Sequence, residues 1–226
     1  MSEQILDLKT WSRNLFFEKY RGMFYPYISI TFNLDITAFH AYVRKQNISL
    51  YFSLIYQCVK AADEIENFRY RFRLSSETDA DGTPLAIPIL IDKNRAFATH
   101  LQPGCEHFIE VDCDDYEDMI TFARKNRAKA DLPVEDFGIP LMAGRMDYIN
   151  FSSIPWISYT DFQRTINKKN GTDSIPKMTF GKYFRQDGRL LLPFSCQTHH
   201  GLMDGCHVGK YAELLQSRLL DCCQNS

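Results

Sequence analysis

Near the C-terminal end of the chain, Gln197-Thr-His-His-Gly-Leu-Met-Asp-Gly-Cys-His207 gathers three histidines, one aspartate and two glycines. Histidine is the side chain whose unperturbed pKa, about 6.5, suits proton transfer near neutral pH. His200 and Asp204 form the pair of interest. Asp204 can fix the geometry of the turn, and Gly205 directly after it permits backbone conformations closed to residues with a Cβ. His-x-x-x-Asp is a short pattern, and two ordinary histidines in a turn before a helix would leave the same trace. A second chemistry uses the same residues. His200, Asp204 and His207 fall at i, i+4 and i+7, one face of a helix and a set of metal ligands if the helix starts early. Gly201 and Gly205 argue instead for a turn, which scatters those ligands. No Cys-x-x-Cys or His-Glu-x-x-His pattern accompanies them, and the adjacent Cys222-Cys223 is poor geometry for a chelate. No metal is expected.

Such a pair needs elements that hold it rigidly beside a cleft. Residues 190–198 read as a buried strand that ends at His199-His200, with a helix following from about 205 to 222. Residues 178–185 read as a strand that Gln186-Asp-Gly188 turns back into 190–198, a hairpin. Upstream, 5–8 is short and extended. Thr10 is placed to cap a helix over about 11–21, with Arg13 at the edge of its apolar face. Residues 26–34 alternate Ile28, Ile30, Phe32 and Leu34 with polar side chains, a strand with one buried face. Asp35 caps a helix over 36–45. The strongly apolar 50–65 reads as a central buried helix.

Phe68-Arg-Tyr-Arg-Phe-Arg-Leu74 alternates aromatic residues with Arg, which predicts a strand with a solvated basic face. Asp81-Gly82 marks a tight turn. Strands are expected near 85–91, 96–101, 108–112, 148–152 and 156–159. An amphipathic helix is expected over 114–128, and polar loops over 130–145 and 164–174. Helices mixed with hairpins predict an α/β (α+β) two-layer sandwich, a mixed β-sheet covered by helices, built as one domain over 1–226.

Composition narrows the function. The net charge of −2 offers no basic field, so nucleic acid is not an expected partner. Seven cysteines are an odd number without framework spacing, and the first residues lack the regions of a signal peptide. No apolar run approaches the roughly 20 residues of a membrane span. These features predict a soluble, cytoplasmic protein with reduced thiols and no membrane partner.

The assembled motifs resemble the chloramphenicol acetyltransferase family. The stretch 197–207 resembles its His-His-x-x-x-Asp-Gly-Phe-His signature. Trp11-Ser-Arg-Asn-Leu-Phe-Phe-Glu-Lys-Tyr20 is similar to its N-terminal Trp-x-Arg-x-x-x-Phe-Glu segment, and Leu34-Asp-Ile-Thr37 to its Asp-Ile-Thr helix start. Asn150-Phe-Ser-Ser-Ile-Pro-Trp156 resembles its Asn-x-Ser-x-x-Pro-Trp strand end. Met178-Thr-Phe-Gly-Lys-Tyr183 and Gly188-Arg-Leu-Leu-Leu-Pro193 are similar to the strands of its catalytic hairpin. The likeness runs nearly end to end and is weakest over about 70–145.

The resemblance implies a CoA-dependent acyltransferase fold and a homotrimer with active sites between subunits. It implies transfer of an acetyl group from acetyl-CoA, as co-substrate, to a hydroxyl of a small molecule. His200 would be the general base, Ser152 the hydroxyl that stabilises the oxyanion, and Arg13 with Asp204 a structural ion pair. Tyr20, Phe108 and Thr179 would line the acceptor pocket, and Trp156 and Tyr183 the CoA channel. A neutral imidazole can take an alcohol's proton as the alcohol attacks, and a positioned hydroxyl can hold the charge that forms.

Departures from the pattern cluster where the acceptor is expected. Lys19, Arg164, Lys177 and Cys206 stand where the family carries apolar or aromatic residues, and Thr165-Ile-Asn-Lys-Lys-Asn170 replaces an Asn-Val-Ala-Asn-like stretch. Buried cations suit a polar or acidic alcohol better than an apolar acceptor. Three readings follow. The first is an O-acetyltransferase acting on chloramphenicol, as a resistance-type enzyme, or on a different polar alcohol. The second is a catalytically silent trimeric ligand-binding protein of the same fold. The third is a metal-dependent hydrolase using His200, Asp204 and His207.

Overall fold

A computed structural model describes residues 2–80, 82, 84–133, 145–166 and 172–224. Its elements are β1 (Glu3–Ile5), α1 (Asn14–Tyr20), β2 (Tyr27–Asp35), α2 (Thr37–Lys45), α3 (Leu50–Asp63), β3 (Tyr70–Thr78), β4 (Pro84–Ile91) and β5 (Arg95–Leu101). They continue with β6 (Phe108–Asp112), α4 (Met119–Ala130), β7 (Tyr148–Ser153), β8 (Lys177–Phe180), β9 (Phe184–Gln186), β10 (Arg189–His199) and α5 (Gly205–Gln224). The larger sheet runs β2-β10-β8-β7-β5-β6, with β9 on β10, and a small sheet runs β1-β4-β3. β7 is parallel to both β5 and β8, while β10 is antiparallel to β2 and β8. The large sheet is therefore mixed, and helices cover it as the sequence predicts.

Alternation along the strands gives this sheet two unlike faces, because residues paired across a ladder share a face. One face carries Ile30, Phe194, Met178, Phe151, Ala98 and Val111, and packs on α2, α3, α4 and α5 as the main core. The other face is polar. Thr31, Ser195, Thr179 and Ser152 form one transverse row, and Ser29, Gln197, Lys177 and Asn150 form the next.

A second cluster seats α1. Phe17 packs with Tyr70, Phe72 and Leu202, and Trp11 lies against it. Leu202 belongs to the turn after β10, so the small sheet holds α1 and that turn together.

Several expectations shift. α1 begins at Asn14, because Thr10 bonds back to Asp7 and caps nothing. α4 begins at Met119, capped by the Asp118 carboxylate on the Thr121 amide. The expected strand over 156–159 is irregular chain, held to the loop after β8 by isolated bonds instead of a ladder: Lys182 N–H donates to Ile157 O at 2.9 Å and Ser158 Oγ to Lys182 O at 2.7 Å, while the Ile157 amide turns back to Ile154 O at 3.3 Å. The expected strand over 178–185 splits into β8 and β9 at Gly181, where a Cβ would meet Pro193 and Tyr159 at 3.0 Å. Gly82 sits at φ +76, as a tight turn requires, whereas Asp81, 134–144 and 167–171 lie outside the described residues.

The solvated basic face expected on β3 fails at Arg71, which is fully buried. The chain entering β7 covers it. Its guanidinium donates to Met146 O, Phe68 O, Tyr70 O, Tyr148 O and Asn94 Oδ1. Burial lowers its pKa to about 10, so it stays cationic at neutral pH. Arg71 thus staples the small sheet to the large one. Arg71→Met is expected to leave those acceptors without a donor and to cost about 3 kcal/mol or more in urea unfolding. A loss below about 1 kcal/mol would contradict this role.

Candidate active site

β10 delivers two histidines that the structure treats in opposite ways. His199, 2% exposed, is edge-on to Phe72 and Tyr27. Its Nδ1 accepts the Gly201 N–H at 3.0 Å, so its proton sits on Nε2. A Cβ on Gly201 would meet that ring at 3.0 Å, which is why glycine follows the pair. His200 is partly exposed, its side chain at 28%. Its Nδ1 faces two acceptors, Met203 O at 3.2 Å and Asp204 Oδ1 at 3.1 Å. Nδ1 must then carry the proton, which leaves the Nε2 lone pair free. The Tyr20 ring stacks on the His200 imidazole with centroids 4.3 Å apart. Of the two neighbours, His200 is the more exposed and the one whose Nε2 is left as the acceptor.

Arg13 locks this turn. It is nearly buried, and its Nη1 meets Asp204 Oδ2 at 2.9 Å. Its Nη2 donates to His200 O at 3.1 Å and Asp204 Oδ1 at 3.3 Å, and its Nε to Gly201 O at 3.3 Å. The Arg13 hydrogen bond holds the Asp204 carboxyl below the usual carboxylate range. His200, Arg13, Asp204 and Tyr20 are therefore one constellation.

Ser152 and Thr179 form another. They pair across β7 and β8, and Thr179 pairs in turn with Ser195 on β10. His200 lies five residues past Ser195 and two strands from Ser152. At about 3.4 Å per residue and 4.8 Å per strand, His200 and Ser152 of one chain stand roughly 15–20 Å apart. Phe108, at 60% exposed, opens β6. Trp156 and Tyr183 are also exposed, on segments joined by the Lys182–Ile157 bond, and Tyr183 lies against His40.

The cations marked as departures are partly accounted for within the chain. The Lys177 ammonium meets Asp173 at 2.5 Å, with both side chains buried. Burial lowers the Lys177 pKa, and Asp173 opposes that shift. Lys177 therefore has its counter-charge inside the protein and does not by itself call for an acidic acceptor. Arg164 donates to the Asn150 side chain at 2.6 Å and its carbonyl at 3.1 Å. Lys19 lies over the Tyr20 ring, and Cys206 is exposed on the first turn of α5. Residues 167–170 of the departing stretch lie outside the described residues. The partners Asp173 and Thr99, the latter bonded to Ser152, carried no motif and were not singled out by the sequence.

The metal reading changes membership. Among the described residues, Asp204, Cys206 and His207 bring possible ligand atoms within 4.8 Å, without His200. The turn ends where α5 begins, so i, i+4 and i+7 do not share a helix face. His207 Nδ1 accepts the Asp204 amide at 2.9 Å, and Asp204 is held by Arg13.

Burial, then Arg13, holds the His207 pKa below its ordinary value of 6.5. The unfolded chain takes up that proton first as pH falls. The contribution of His207 is thus fully present above about pH 6.5 and is lost as pH falls toward the lower folded value. Between pH 7.5 and 5.5 the urea midpoint of the wild type should drop further than that of His207→Gln. Equal drops would contradict the assignment.

The family model described as chloramphenicol acetyltransferase matches residues 1–216. A chloramphenicol acetyltransferase from Clostridium perfringens is 28% identical over 218 residues, covering 93% of this chain and 92% of that protein. The solved structure of a chloramphenicol acetyltransferase superposes with a TM-score of 0.82 at 25% identity, covering 96% of this chain and 100% of the other. The cubic core of a pyruvate dehydrogenase multienzyme complex shares the fold at a TM-score of 0.64 and 18% identity, over 92% of this chain and 86% of that one. The chain belongs to the chloramphenicol acetyltransferase family, a family of acyltransferases.

Proposed function

We propose that this protein is an acetyl-CoA-dependent O-acetyltransferase in which His200 is the general base and the acceptor is chloramphenicol or a different polar alcohol. The observation that carries the reading is the pair of acceptors facing His200 Nδ1, Met203 O and Asp204 Oδ1, from which it follows that Nδ1 donates within the turn and Nε2 is left to accept on a partly exposed ring. In the proposed step, Nε2 takes the proton of the acceptor hydroxyl as its oxygen attacks the thioester carbonyl. The Ser152 hydroxyl donates to the oxyanion of the tetrahedral intermediate. The intermediate collapses, the C–S bond breaks, and the CoA thiolate recovers the proton from the imidazolium. The products are an acetyl ester and free CoA.

The exposed apolar surface of Trp156, Ile157 and Tyr183 suits the arm of CoA, with cations beside it. Arg44 and Arg185 lie close enough to His40, which touches the Tyr183 ring, to help lower its pKa after burial. The separation of His200 from Ser152 supports an active site assembled between copies of the chain, in a homotrimer. A base and an oxyanion donor must both reach one tetrahedral centre, and a gap of roughly 15–20 Å along the strands leaves that to a neighbouring copy. Tyr20, Phe108 and Thr179 are assigned to the acceptor side.

Mass spectrometry of products formed from acetyl-CoA with chloramphenicol and a panel of polar alcohols tests this reading. His200→Ala should slow ester formation about 10²- to 10⁴-fold, and Ser152→Ala about 10²- to 10³-fold. Coexpression of the two variants should restore roughly a quarter of the wild-type activity, because random mixing leaves that share of interfaces with both residues. Ester formation that survives His200→Ala would overturn the base assignment. An inactive mixture would overturn the shared site. Acceptor binding without turnover, unchanged by His200→Ala, would favour the silent ligand-binding reading.

A further inference from the structure

We infer that Thr99 is a positioning residue for the oxyanion hydroxyl, an inference that rests on Ser152 having the role proposed above. Thr99 Oγ1 donates to Ser152 Oγ at 2.9 Å. The contact is a product of the sheet. β5 and β7 run parallel with Ala98 opposite Phe151, and the next residue of each strand is Thr99 and Ser152. Both side chains therefore emerge on the polar face, beside Thr179 of β8.

A serine hydroxyl has one proton to give and two lone pairs to fill. If it is to stabilise an oxyanion, its proton must point at the reacting centre and not at a nearby backbone carbonyl. A donor already seated on one lone pair constrains where that proton can lie. It also polarises the hydroxyl, because a group that accepts a hydrogen bond becomes a better donor. Thr99 has a competing acceptor in Phe151 O, but at 3.5 Å that contact is poor beside the 2.9 Å bond to Ser152. The Thr99 backbone is fixed independently of its hydroxyl. Its carbonyl accepts Tyr51 Oη at 2.9 Å, and it pairs with Glu110 on β6. The side chain is half-buried, and valine keeps its branched outline while removing the hydroxyl, so Thr99→Val deletes the hydrogen bond without opening a cavity.

A sheet can also carry a Thr–Ser pair for cross-strand stability alone. The two roles separate in kinetics. Thr99→Val should lower kcat for acetyl transfer about tenfold, with KM for acetyl-CoA unchanged. Thr99→Ser, which keeps the hydroxyl, should stay near the wild-type rate. In a Ser152→Ala background, Thr99→Val should cost nothing further, because the group it positions is gone. Thermal midpoints of all four proteins establish that each is folded. If Ser152→Ala is slow but Thr99→Val matches the wild type, the Thr99 role is overturned and the Ser152 reading stands. The same holds if the double variant is slower than Ser152→Ala by the full Thr99→Val factor. If Ser152→Ala keeps the wild-type rate, both assignments fall.

Discussion

The site depends on one buried guanidinium. Arg13 reaches from the entry of α1 to the turn after β10 and binds Gly201 O, His200 O and both Asp204 oxygens. A lysine at this place could not do the same work, because only the planar fork of arginine serves several fixed acceptors at once. The turn pays its desolvation through packing on either side: Phe17 of α1 and Leu202 of the turn meet in the same apolar cluster under the small sheet. Arg13 thereby fixes Asp204, and Asp204 with Met203 O fixes the proton of His200 on Nδ1. Nε2 is left with its lone pair because of the contacts made by Nδ1.

The second constraint is the sheet. Its apolar face is spent on the helices, and its polar face gathers Ser152, Thr179, Gln197 and Lys177 in ordered rows. The ladder that sets these rows also sets how far they stand from His200. Fixed strand spacings keep His200 and Ser152 apart in one chain, which is the ground for proposing that another copy completes the site.

Much of this was legible in the sequence. The alternation over 26–34 and the glycines at 201 and 205 marked β2 and the turn, and the ordered motifs marked Arg13 and Asp204 as partners. Polarity and period describe an element's own faces, but not what later covers them. Arg71 shows the limit: its alternation with aromatics is that of a wet strand, and only the arrival of β7 buries it. Lys177 shows the same limit, since its charge looked destined for the acceptor until Asp173, four residues earlier, proved to hold it. Thr99 left no trace because a threonine in a strand is unremarked until its neighbour across a parallel ladder is known. The distinction between His199 and His200 likewise lies in their hydrogen-bond partners, which adjacent identical letters cannot reveal.

The most direct measurement is the tautomer of His200 itself, read from long-range ¹⁵N–¹H correlations in ¹⁵N-histidine protein, with His200→Gln supplying the assignment. At a pH where the ring is neutral, the proton should reside on Nδ1 and Nε2 should show the shift of a bare nitrogen. Replacing Arg13 by Ala should blur that preference into a mixture. A wild-type His200 with its proton on Nε2 would contradict the account, because Nε2 could then not accept a proton.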